Sequence, residues 1–128
     1  MNTEADRNIA TGRDFIDAWN ARDAARIMAH LTEECVYHNI PMAPLTGTAA
    51  IRGAVDRVLS TYDEIDWITH AIAATASGSV LTERADRFRI GTRWIDVPVM
   101  GIFEFRDGKI SAWRDYFDLA MFTSQLKG

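Results

Sequence analysis

Cysteine is almost missing from this chain: Cys35 is the only one in 128 residues. A lone thiol excludes an internal disulfide and any cysteine-built metal cluster, and it fits a reducing, cytoplasmic location. Long apolar runs are absent as well, so no segment offers the ~20 residues that span a bilayer. The polar stretch from Met1 to Thr11 is helical in pattern and has no basic segment leading into an apolar core, so no secretory signal is expected. Positive charge is sparse: the net charge is −4, and no run of Lys or Arg could form a phosphate-binding stripe. Nucleic acid is therefore not an expected partner, and neither is a membrane. Several catalytic signatures are missing too. The chain has no Gly-x-Ser-x-Gly elbow, no phosphate-binding glycine loop and no dinucleotide fingerprint. His30, His38 and His70 lack metal-ligand spacing and no Glu or Cys complements them, so no metal is expected.

What is present describes a folded domain. Apolar residues make up 48% of the chain and charged residues 25%, the balance of a globular protein rather than a disordered one. One domain over 1–128 accounts for the length. Ile9, Phe15, Ile16 and Trp19 recur at helical spacing, and after a break at Asn20 to Asp23 a second helical stripe runs through Ala24, Ile27, Met28 and Leu31, with Asp23 as its cap. A short extended run, Cys35 to Asn39, ends at Pro41 and Pro44; Gly47 to Tyr62 is helical again through Ile51, Val55, Val58 and Leu59. From Ile65 the period changes to two. Strands are expected at Ile65 to Thr75, Ser79 to Ile90, Arg93 to Phe105 and Lys109 to Phe117, with Asp107-Gly108 a strong hairpin signal. A last helix, Asp118 to Leu126, would bring Phe122 to the mouth of whatever the sheet encloses. Helices first and a meander afterwards describe an α+β fold in which a curved antiparallel or mixed sheet wraps around the N-terminal helices and leaves a cone-shaped pocket.

Charge sits where the strand period demands a core. Arg84 and Asp86 share a face with Val80, Phe88 and Ile90, and Asp115 shares one with Trp113 and Phe117. Burying such groups costs several kcal/mol unless they are paired, so the pattern is either a structural ion network or an active site. Two carboxylates near one guanidinium in an apolar pocket resist ionising together: one keeps its proton while the other loses it. That would supply a general acid and a general base at one pH. Tyr37 and Asn39 share a face of the short strand, and with Asp115 they could hold one water by three hydrogen bonds. His38 alternates away from them, and Met42 in its proline-flanked loop belongs near a pocket rim. Glu83, Arg87 and Arg89 lie on the other strand face as solvent or interface charges.

These residues, in this order, resemble the limonene-1,2-epoxide hydrolase family. The resemblance rests on Tyr37-His38-Asn39 before a proline loop, on Thr82-Glu83-Arg84-Ala85-Asp86, and above all on Gly108-Lys109-Ile110 leading into Trp113-Arg114-Asp115-Tyr116-Phe117-Asp118. It implies a cone-shaped fold of the nuclear-transport-factor-2-like type, usually dimeric, with a cofactor-free Asp-Arg-Asp centre that hydrolyses an epoxide to a vicinal diol in one step. Residue by residue, the family's water-holding pair falls on Tyr37 and Asn39, its arginine on Arg84, its acid on Asp86 and its base on Asp115. The walls of the cavity are expected from Ile16, Trp19, Val58, Tyr62 and Phe88, together with Val97, Val99, Trp113, Phe117 and Phe122. An apolar lining fits an apolar, cyclic or terpene-like epoxide. Two other readings use the same residues: an epoxide-opening cyclase in which a substrate hydroxyl replaces water, and a non-catalytic small-molecule binding module whose Asp-Arg-Asp network is structural.

Overall fold

The structure is a computed structural model and describes residues 3–128; Met1 and Asn2, the start of the helical N-terminal pattern, lie outside the described residues. Helix α1 (Glu4–Asn20) opens on a capping box: the Asp6 backbone N–H donates to the Thr3 hydroxyl, and the Thr3 N–H donates to the Asp6 carboxylate. Helix α2 (Ala24–Ala29) is capped by Asp23, whose carboxylate accepts from the Arg26 N–H. The apolar stripe through Leu31 does not stay helical. His30 closes α2, and Leu31 opens β1 (Leu31–Asn39), four residues earlier than the extended run at Cys35 indicates. Helical and extended spacing coincide over so short a stretch, and pairing of Leu31 with Ile110 decides it.

Strand β2 (Leu45–Thr46), just after Pro44, is legible only from its partner β1, where Tyr37 faces Leu45. Helix α3 (Thr48–Thr61) follows Gly47, which stands at φ 90, and buries Ile51 and Val55 fully. The remaining strands are β3 (Glu64–Ala74), β4 (Val80–Ile90), β5 (Arg93–Arg106) and β6 (Lys109–Tyr116), and helix α4 (Leu119–Lys127) ends the chain. Asp107 and Gly108 both adopt positive φ, the backbone of a type I′ turn whose twist matches its two strands.

The six strands form one sheet in the order β2-β1-β6-β5-β4-β3. All neighbours are antiparallel except β1 and β6, which run parallel, so the sheet is mixed. Its inner face holds the core. Phe15 of α1 meets Phe103 and Trp113 edge to face, with ring centroids 5.5 and 4.9 Å apart, and Trp19 stacks on Trp67 at 4.8 Å. Large fully buried side chains of this kind each contribute about 1.5–3 kcal/mol to folding. A polar contact joins α1 to the sheet. β3 is an edge strand, and the Asn20 side chain satisfies its edge at Trp67, accepting from the Trp67 N–H at 2.7 Å and donating to the Trp67 carbonyl at 3.0 Å. Helix α1 thereby fixes where the Trp67 ring stands.

Candidate active site

Along β4 the inward positions read Val80, Thr82, Arg84, Asp86 and Phe88, all buried. The guanidinium of Arg84 is wholly enclosed and uses its fork in four directions. Nε donates to Asp86 Oδ1 and Nη2 to Asp86 Oδ2, each at 2.9 Å, a bidentate pair on one strand. Nη2 also donates to Asp115 Oδ2 at 2.9 Å, and Nη1 to the Thr82 hydroxyl at 2.9 Å. The Trp67 ring, opposite Asp86 in the β3–β4 register, lies 5.2 Å from the guanidinium carbon. That ring both shields the cation and attracts it.

Asp115 arrives from β6, two strands away from β4. Its Oδ2 is committed to Arg84, but its Oδ1 is buried without a partner among the described residues. Asn39 stands opposite Asp115 in the parallel β1–β6 register, and Asn39 Nδ2 donates to the Tyr37 hydroxyl at 2.8 Å. The Tyr37 ring stacks on Trp113 with centroids 4.0 Å apart and planes 15° from parallel, so the phenol is held by the core behind it. Tyr37, Asn39, Asp86 and Asp115 thus converge on one cavity of about 190 Å³.

Electrostatics separate the groups. Burial pushes the Asp86 carboxyl up to about 6 from its ordinary 3.8; the Arg84 charge pulls it back and the neighbouring Asp115 raises it further. Burial also raises the Tyr37 phenol, with the Asp115 charge adding to the effect, so that phenol stays protonated and keeps a donor. For Arg84, burial is the largest influence and opposes its charge, but the two carboxylates outweigh it and raise its pKa. The cation is permanent.

The rest of the wall is apolar: Trp19, Val58, Tyr62, Phe88, Val97, Val99, Phe117 and Phe122 line the cavity, and Met42 stands at its edge. Two residues expected there do not. Ile16 and Trp113 are buried in the core behind the wall, because the Trp113 face is covered by Tyr37 and its edges by Phe15 and Trp19. Arg84 touches the acids from beneath and is not itself part of the lining. Ile90, grouped with the inward face, is only half buried at the strand end. His38 turns away and contacts the Met42 carbonyl. Sequence reasoning missed Trp67, which lines the cavity, and gave no role to Thr82. Trp67 was within reach, since it alternates in phase with Ile65; its place over Arg84 depends on strand register. Among the described residues, no three His, Cys, Asp or Glu side chains converge as a metal-binding cluster, and no helix is long and apolar enough to cross a membrane.

A curved mixed sheet over N-terminal helices, enclosing a buried acid–guanidinium–acid centre, defines a small α+β enzyme of the nuclear-transport-factor-2-like fold. The model of the limonene-1,2-epoxide hydrolase catalytic domain matches residues 6–127, and the chain belongs to that family of epoxide hydrolases. It is 33% identical over 115 residues to epoxide hydrolase EphG of Mycobacterium tuberculosis, covering 89% of this chain and 76% of that protein. The solved structure of an LEH-like epoxide hydrolase of M. tuberculosis superposes with a TM-score of 0.83 at 30% identity, over 94% of this chain and 90% of that one. The epoxide hydrolase/cyclase-like enzyme SalBIII, described in pyran ring formation, shares the fold at a TM-score of 0.80 and 17% identity, over 88% of this chain and 92% of that one.

Proposed function

We propose that this enzyme hydrolyses a small apolar epoxide, cyclic or terpene-like, to a vicinal diol in one step and without a cofactor. Water held by Tyr37, Asn39 and Asp115 attacks a ring carbon. Asp115 takes a proton from that water as its oxygen bonds to carbon, the ring C–O bond breaks, and Asp86 protonates the departing oxygen. The epoxide gains one water overall, and one proton must return from Asp115 to Asp86 before the next turnover. Both transfers occur at positioned groups, each typically worth about 10²–10⁴-fold, and prealigned attack removes an entropic cost.

The observation that carries this reading is the inequality of the two acids around Arg84. With both ionised the buried cluster would hold a net negative charge, and a proton on Asp86, whose pKa is raised to about 6, makes it neutral. Asp115 meanwhile lines the cavity and has in Oδ1 an acceptor without a partner among the described residues. The cavity volume, below the ~300–1,000 Å³ common for ligand sites, supports a compact substrate. Its lining of Val58, Val97, Val99 and aromatic rings supports an apolar one.

The test is diol formation from a panel that includes cyclohexene oxide and limonene oxide, with wild type and Asp115→Asn side by side. Diol from wild type alone supports the assignment. A single turnover in ¹⁸O-water should place label in the diol; label found first in an enzyme carboxylate would replace direct attack with a covalent ester. A cyclic ether without solvent oxygen would mark a cyclase, and tight binding without turnover a binding module. We also propose a cytoplasmic homodimer, with Leu81, Met100 and Tyr116 exposed on the outer sheet face as the apolar surface available to a second copy. Sedimentation equilibrium tests it, and a monomer would refute it.

A further inference from the structure

We propose that Gly101 and Thr82 are positioning residues that together form the seat allowing one guanidinium to join acids on non-adjacent strands. Arg84 and Asp86 lie on β4 and Asp115 on β6, with β5 between them. Strands are ~4.8 Å apart, so the bridge must pass over β5. The inward positions of β5 are Ile95, Val97, Val99, Gly101 and Phe103, and the bridge crosses at the one that has no side chain. Gly101 pairs with Thr82 on one side and with Asp115 on the other. A β-carbon there would lie 2.6 Å from Arg84 Nη1, 3.2 Å from the Thr82 hydroxyl, and closer still to Asp115 Oδ1. Those neighbours are buried, so a methyl group there must push one of them aside. Gly101 is not among the residues at positive φ, so space and not backbone freedom requires glycine. Thr82 completes the seat by accepting from Nη1 at 2.9 Å, which turns the fork so that Nη2 faces both carboxylates.

With a methyl group at 101, the Arg84–Asp86 pair on β4 survives and Asp115 is displaced from it. The kinetic part of the test rests on the epoxide-hydrolysis reading; the spectroscopic part does not. Gly101→Ala should lower kcat by ~100-fold, the scale of a 1 Å misplacement, with KM within about threefold of wild type. Thr82→Val, which keeps shape and removes the acceptor, should lower kcat by about tenfold, and Thr82→Ser should restore it to within about twofold. Separately, the Arg84 Nη2 NMR signals, whose protons reach both acids, should shift in Gly101→Ala while the Nε signal, held by Asp86, stays near its wild-type position. Wild-type kcat in Gly101→Ala, or unshifted Arg84 Nη2 signals in that folded variant, would overturn the proposal. If Gly101→Ala does not fold, the threonine pair decides: Thr82→Val with wild-type kcat, or no rescue by Thr82→Ser, counts against it. Absence of turnover in the wild type would sink the hydrolase reading alone, and the NMR comparison would still judge the seat.

Discussion

Strand β4 carries two sets of ion pairs, one on each face. On the inner face Arg84 and Asp86 have side chains 0% and 7% exposed; on the outer face Arg87 pairs with Asp66 at 2.8 Å, with side chains 29% and 42% exposed, and Arg89 pairs with Glu64 at 3.2 Å. Each pair joins a guanidinium to a carboxylate, and the distances are nearly the same. What differs is the solvent. Outer pairs remain hydrated, gain little from each other and are worth about 0–1 kcal/mol. The inner network has lost its water, so each charge depends on its partners, and burial raises the Asp86 carboxyl to about 6. In the proposed mechanism, burial is what turns an ordinary ion pair into an acid and a base.

That contrast is sharpest at its shared cation. Arg84→Met should abolish turnover and cost about 3–5 kcal/mol in urea denaturation at pH 7, because two buried carboxylates lose their partner. Asp115→Asn and Asp86→Asn should each lower kcat by about 10²–10⁴-fold and leave the far-ultraviolet spectrum unchanged. Steady-state kinetics with matched circular dichroism checks both, and a near-native kcat in Asp115→Asn would remove it as the base.

The pH dependence originates at Asp86. Its pKa is raised in the folded state to about 6, so its contribution to stability is full below about 4 and is lost as pH rises through 6. In the proposed mechanism turnover needs protonated Asp86, so kcat/KM should decline along the same alkaline limb. Denaturation and kinetics at pH 4.5–8 should show both trends, and Asp86→Asn should flatten the stability trend. Trp67→Leu, which strips the ring from over Arg84, should cost a few-fold in kcat, in line with the ~0.5–2 kcal/mol of a cation–π contact. Arg87→Ala on the outer face should change stability by less than about 1 kcal/mol and leave kcat alone. A large effect there would erase the distinction between the two faces.

How legible this was depends on the range of the forces involved. Strand period alone turned Arg84, Asp86 and Asp115 inward, and the hairpin at Asp107-Gly108 was readable from residue type. Strand β2 was not, since two residues have no period; neither was the early start of β1 at Leu31. Ile16 and Trp113 were expected at the cavity and stand behind it, because facing inward does not distinguish a wall from the core it rests on.

Backbone period, capping and local dihedral preference already dictate which side chains face inward, where the helices start and the turns fall, and that charge is buried among aromatics. It takes the assembled sheet to put β6 between β1 and β5, which sets Asn39 beside Asp115 and leaves Gly101 as the gap between β4 and β6. Strand order and register arise from contacts between residues far apart in the chain, and the pairing of two acids with one guanidinium exists only once those contacts have formed.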